Sequence, residues 1–316
     1  KRCQCSHVSM ADRAQAAGAK TFAECVKFLE SGVAGAENGA ITNARKLEAL
    51  SQLEDLLPSV PKAEVVEQRA RLEDLCERLL TQNATDPLRR LVVSVLDAAF
   101  ALLGDTSALP NYVSRLLKLT GDGKKGSDKL NDTKVAALDV MGQFAMKHGV
   151  ILEPFCNDIL VVIAKHMKMN EASARVSALQ NLCRMMTYAG VRHLSTAGNV
   201  WKMLQKMLPD KALTVRTAAA QALSVLTSVC PICAGANGEA MALACLKTLA
   251  TEDPPGQLSS HCSESRFAFT SALAKVLAAM ASPAAAAAPD RPKKKPPVTD
   301  FASAVDFLEQ AIHKGP

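Results

Sequence analysis

The feature that most constrains the fold is an apolar face that returns along the chain at a nearly constant interval. Between Asp210 and Val229, the residues Val215, Ala219, Ala222, Leu226 and Val229 fall at i, i+4, i+7, i+11 and i+14. That spacing puts them on one side of an α-helix. The alanines matter as much as the larger residues, because small side chains let a neighbouring helix approach closely. Pro209 and Asp210 punctuate the start, where Asp210 can accept from free backbone amides. Leu88, Val92, Val95, Ala99 and Leu102 follow the same offsets, as do Ala172, Val176, Leu179, Cys183 and Met186. Taking the dipeptide near each helix centre as a ruler gives Ala49-Leu50, Val95-Leu96, Ala137-Leu138, Ala178-Leu179, Ala222-Leu223 and Ala272-Leu273, whose leucines stand at intervals of 46, 42, 41, 44 and 50 residues.

A period of roughly 40–47 residues with two helices per unit is the pattern of HEAT and armadillo arrays. The expected fold class is therefore all-α, an α-solenoid of HEAT/armadillo-like helical repeats with about six helix pairs. Each pair in such an array buries its apolar face only against its neighbours, so the number of pairs is open-ended. Apolar residues make up 48% of the chain and aromatics only 4%, so the core is built from Leu, Val, Ala and Met. Few stretches alternate β-branched or aromatic residues with a period of two, which argues against a sheet. Residues 1–19 are small and polar and are expected to be disordered, and residues 20–281 form the array. An Ala/Pro/Lys-rich linker follows at 282–297, then the first helix of a further, truncated repeat at 298–316, where Phe301, Val305, Leu308 and Ile312 resume the amphipathic pattern.

The formal charge of +6 is a mild bias that permits acidic partners or peripheral contact with anionic lipid. Nucleic acid is not an expected partner, because the basic residues are not interleaved with exposed aromatics for base stacking. No run of eighteen apolar residues occurs; the nearest, Leu91 to Leu103, is interrupted by Asp97, so no integral membrane segment is expected. Ten scattered cysteines do not make a disulfide framework, which points to a reducing compartment.

Searching for chemistry gives little. Gly121 to Ser127 resembles a phosphate loop, but no Lys follows Gly126 and helices precede it. Cys230-Pro-Ile-Cys233 has the spacing of a redox pair or half a zinc site, yet zinc would need two more ligands supplied by folding back. The histidines His7, His148, His166, His193, His261 and His313 are isolated and read as surface or helix-end residues. Arg291-Pro-Lys-Lys-Lys-Pro296 reads as a solvated linker, with nuclear import as the alternative. No catalytic, cofactor-binding or metal-ligating residue is expected. One constellation remains: Arg45, Arg90, Lys134, Arg175, Arg216 and Arg266 stand near the start of successive second helices, several just after Asp86, Asp132, Glu171 or Asp210. In a stacked array these positions come into register. They then form either an inter-repeat ladder of carboxylate–guanidinium pairs or a basic strip on the concave face where partners dock. The ladder is the favoured reading.

Several segments also resemble a known family. Thr133-Lys-Val-Ala-Ala137 with Gly142, Phe144 and Gly149 is similar to a stretch near the start of the HEAT-repeat-containing protein 5 family. Asp210-Lys-Ala-Leu-Thr-Val-Arg216 resembles its next-but-one turn and helix, Lys27-Phe-Leu-Glu30 its opening helix, and Asp300 to Lys314 the segment after a variable loop. The matching pieces extend over about residues 20–315. The 282–297 insertion and the Cys-Pro-Ile-Cys turn depart from the family pattern. The resemblance implies the N-terminal part of a large, cytosolic, non-enzymatic scaffold. Such proteins work with clathrin adaptors in endosome and trans-Golgi traffic and protein localisation, peripheral to those membranes, and homo-oligomerisation is compatible with it. The alternatives are a HEAT scaffold of another pathway (a nuclear transport receptor or phosphatase scaffold subunit) and an enzyme using Cys230 and Cys233 as a redox pair. The redox reading predicts a depressed thiol pKa.

Overall fold

The computed structural model describes residues 21–34, 43–81, 85–103, 108–120, 128–190, 194–250 and 260–282. Helix accounts for 92% of them, and no strand occurs among them. The α-helices are α1 (Phe22–Ala34), α2 (Asn43–Leu56), α3 (Lys62–Thr81), α4 (Asp86–Leu103), α5 (Ala108–Thr120), α6 (Asp128–Leu152), α7 (Cys156–His166), α8 (Ala172–Tyr188), α9 (Leu194–Met207), α10 (Leu213–Val229), α11 (Pro231–Ala250) and α12 (Ser260–Ala281). They group as first and second helices of successive pairs, in the order that the periodicity predicts. Residues 1–19, Gly121–Ser127, the stretch expected to be a linker at 282–297 beyond Ser282, and the helix expected at 298–316 lie outside the described residues. The chain divides into two compact units, with the boundary inside α6 between Phe144 and Ala145.

In the first unit, α1 opens on a reciprocal cap. The Thr21 amide donates to Glu24 Oε2 at 3.0 Å and the Glu24 amide to Thr21 Oγ1 at 3.2 Å, so two helix-start donors are satisfied by one Thr-x-x-Glu sequence. α2 stops where Pro58 enters a 3-10 turn, Leu57–Ser59, and Pro61 precedes α3. Here helices meet both the partner in their own pair and the helix of like rank in the next: α1 packs on α2 and α3, and α4 on α3 and α2. Leu50, Leu53, Leu57, Val65 and Leu75 are fully buried in this core. Farther along, Phe100 of α4, Tyr112 of α5 and Phe144 of α6 form a chain of rings, with centroids 6.4 and 5.9 Å apart.

The second unit repeats itself most closely. Here α7 packs on α8, α9 on α10 and α11 on α12, while α10 lies between α8 and α12, and α9 also meets α11. Sliding the sequence by 41 residues superposes the buried positions: Ile159, Val200 and Met241; Ile163, Leu204 and Cys245 on the first helices; Ala178 with Ala219 and Leu182 with Leu223 on the second. α6 reaches this unit through a kink at His148 (φ −131°, ψ 35°). The next residue, Gly149, is there because nothing larger fits: a Cβ on it would stand 1.9 Å from the Tyr188 carbonyl oxygen. A 3-10 turn at Glu153–Phe155 then redirects the chain into α7.

Three features differ from the sequence reading. On α8 Leu179 and Met186 of the predicted series are buried as expected, together with Ala174, Ala178, Asn181, Leu182 and Met185, whereas Ala172, Val176 and Cys183 are only half-buried. The apolar pattern misled because Asn181 occupies a core position. Its amide donates to the Ser177 carbonyl at 3.0 Å and its Oδ1 accepts from Arg184 Nη1 at 2.8 Å, so a polar residue sits there without an unmet bond. The leucine ruler consequently slipped by one turn at Leu179, giving 44 where the structural repeat is 41. Secondly, Cys230-Pro-Ile-Cys233, read from sequence only for its redox or half-zinc spacing, is a junction at which α11 begins at Pro231 directly after α10, since proline is well suited to a first helical position. Thirdly, Asp132–His166 has the length and composition of a membrane span. It is not one continuous helix, being broken at His148 and Glu153–Phe155, and half of its apolar window is buried within the protein.

Candidate functional site

The six basic residues are divided between the units, with Arg45, Arg90 and Lys134 in the first and Arg175, Arg216 and Arg266 in the second. Arg45, Arg90 and Arg266 are exposed, Lys134 and Arg216 half-buried, and Arg175 buried. The structure brings two of them together around one aspartate. Arg175 Nη1 donates to the carbonyls of Met169 and Asn170 at 2.8 and 2.7 Å, and its Nη2 to Asp210 Oδ1 at 3.0 Å. Arg216 Nη1 donates to the carbonyls of Asp210 and Lys211 at 2.9 and 3.3 Å. Both arginines thus reach back six and five residues to the turn before their own helix, at positions 41 residues apart.

The local chemistry explains the geometry. A tight turn between two antiparallel helices leaves carbonyls pointing inward without helical partners, and a guanidinium is a rigid, always-charged donor array that can meet several at once. Asp210 carries the link between pairs: its backbone belongs to the turn that Arg216 clamps, and its carboxylate to Arg175 of the preceding pair. The same Oδ1 accepts from the Ala212 amide at 2.9 Å. Asp210 therefore closes the turn from two residues before the helix N-cap, which is Ala212, rather than capping α10 itself. With the Arg175 and Asp210 side chains 7% and 11% exposed, the pair is shielded from water, and Arg175 presents nothing to an incoming partner.

A second set of inter-pair links, on the first helices of the first unit, has no counterpart in the sequence reading. Arg71 of α3 makes a two-pronged bond to Glu30 of α1, at 3.2 and 2.7 Å. Arg115 of α5 reaches both Glu77 and Glu73 of α3, the latter at 3.3 Å, and Glu73 also takes Arg69 at 2.9 Å. Arg115 lies over the Tyr112 ring and Arg69 over Phe100, each about 6 Å from the ring centre, within the range of cation–π attraction. On the second helices Ser94 bonds Glu54, and Arg89 approaches Asp139 at 3.6 Å. Arg71 and Arg115 stand 44 residues apart on successive first helices, a recurrence of charge that is legible in the sequence but does not involve the second-helix starts.

Cys230 and Cys233 are both buried. Burial, with Cys230 beside it, pushes the Cys233 thiol up to about 11, opposite in direction to what a redox nucleophile requires. Among the described residues no group of three His, Cys, Asp or Glu side chains is placed to hold a metal ion. His166 ends α7 as expected but is buried rather than on the surface, with Nδ1 2.8 Å from the Val162 carbonyl. His7, His193 and His313 lie outside the described residues. The chain matches no model of a known protein family.

Proposed function

We propose that this chain is a non-catalytic protein-binding scaffold, built as a HEAT/armadillo-like α-solenoid and forming the N-terminal part of a larger helical-repeat protein. Its work, on this reading, is in endosome and trans-Golgi vesicle traffic with clathrin-adaptor partners. The observation that carries the scaffold reading is the repetition itself. Like-ranked helices pack on one another within each unit, and an arginine-to-turn motif recurs at a 41-residue interval. An array of this kind makes extended surface out of proportion to its core, the property that binding scaffolds use. The trafficking assignment rests on the similarity of the Lys27–Glu30, Thr133–Gly149 and Asp210–Arg216 segments to the HEAT-repeat-containing protein 5 family. Imaging the tagged full-length protein tests it. Puncta coincident with trans-Golgi and endosomal markers are expected, and a nuclear-rim or uniformly diffuse signal would overturn the assignment.

A further inference from the structure

The second helices of the second unit, α8, α10 and α12, pack in succession, with α10 against both of the others. A shift of 50 residues carries the core of α10 onto that of α12: Val215 onto Ser265, Ala219 onto Phe269, Leu223 onto Leu273 and Leu226 onto Val276, all buried. One stripe breaks the match. Ala220, Ser224 and Thr227 are buried on α10, but of their counterparts on α12, Thr270 and Leu277 are half-buried and Ala274 is exposed. One turn before them, Phe267 is 76% exposed where α10 has the half-buried Thr217. Offsets of i, i+3, i+7 and i+10 put Phe267, Thr270, Ala274 and Leu277 on one face of α12. On α8, Leu179 and Met186, 41 residues before Ala220 and Thr227, are buried as well. The stripe is thus the seat on which each second helix takes the next, and among the described residues no helix follows α12.

We infer that residues 298–314 of this same chain take that seat, as a helix of second rank rather than the first helix of a truncated repeat. Phe301, Val305, Leu308 and Ile312 stand at i, i+4, i+7 and i+11, a stripe of large side chains to set against the small Thr270 and Ala274. Asp306 and Gln310 fall on the opposite side, so the docked helix keeps a polar outer face. Charge favours the same pairing: α12 exposes Arg266 and Lys275 against Glu264, and residues 298–314 carry Asp300, Asp306 and Glu309 against Lys314. The connection is long enough. α12 has 22 residues, about 33 Å of helix, while residues 283–299 cover about 50 Å if extended as a Pro-rich chain. The first helices leave no comparable seat. Leu243 of α11 is exposed, but so are Val161 and Lys202 at its position on α7 and α9.

The contact is internal to the chain and holds whatever partner the array binds. Hydrogen exchange read by mass spectrometry on the full chain tests it. Amides of residues 301–312 are expected to exchange at least about tenfold more slowly than in a synthetic peptide of residues 298–316, since a helix that short is marginal by itself. Phe267→Asp is expected to return them to the peptide's rate while α8 and α10 keep their protection, because that side chain lies outside the core. Ala274→Asp, at a second exposed position of the stripe, is expected to do the same. Leu243→Asp on α11 is expected to leave the segment protected. Peptide-like exchange in the unaltered chain would overturn the inference, as would protection that both F267D and A274D leave intact. Release by L243D instead would make the segment a first helix and overturn it too. Protection that rises with protein concentration, alongside a dimer in sedimentation, would seat a second copy there and equally refute it.

Discussion

Arg175 and Asp210 form the most sharply testable contact in the molecule. Replacing Arg175 by methionine keeps much of the side chain's bulk but removes all three of its hydrogen bonds. It leaves a carboxylate that is 11% exposed and two turn carbonyls without their donor. Removing one member of a buried pair costs about 3–5 kcal/mol, because the other charge stays desolvated. Asp210→Asn is milder: the amide oxygen still accepts from Ala212, and the cost is the weaker neutral bond to Arg175, about 1–2 kcal/mol. In the double variant the stranded charge is gone, so the two losses do not add, and a coupling of about 1–3 kcal/mol is expected. The assay is urea unfolding followed by the fluorescence of Trp201, the chain's single tryptophan, which is buried on α9 in the same unit. Arg216→Met supplies the comparison: its two carbonyl partners lie nearer solvent, and a loss of about 1–2 kcal/mol is expected. If R175M costs less than about 1 kcal/mol, or the cycle is additive to within about 0.5 kcal/mol, the link between the pairs contributes nothing and the reasoning fails.

Other expectations follow from individual contacts. Gly149→Ala must displace the Tyr188 backbone, because the new Cβ meets a carbonyl oxygen at 1.9 Å; thermal melts should show a loss of at least about 1–3 kcal/mol. Gly198→Ala, on α9 with nothing within 4 Å of its Cβ, should instead stabilise by about 0.5–1 kcal/mol. Burial holds the Cys233 thiol at about 11 and Cys245 at about 12, against 9.0 when free. Above pH 9.0 the unfolded chain sheds protons that the folded unit keeps, so stability is full below pH 9.0 and falls as pH rises towards about 11. The urea midpoint should therefore drop between about pH 8 and pH 10.5, and less so in a Cys233→Ala, Cys245→Ala variant. Arg71→Ala should cost less than about 1 kcal/mol, since that arginine is 47% exposed. Arg115→Ala, which releases Glu73 and Glu77 together, should cost more in the same urea titration.

Periodicity alone determined that the described part of this chain is helical, that its helices come in pairs, and roughly how often the pairs recur. It could do so because burying one side of a helix imposes a 3.6-residue rhythm that is written directly in residue order, as in Leu88, Val92, Val95 and Ala99. Glycine and proline, as at Pro58 and Pro61, mark the breaks for equally local reasons. Which positions are equivalent between pairs was decided only by packing. Asn181 is buried because its bonds are met within α8, and no hydrophobicity pattern carries that information, so the leucine ruler lost a turn there. Arg175 and Arg216 look alike in sequence, yet one is sealed against Asp210 and the other stays half-exposed, a difference set by the neighbouring pair.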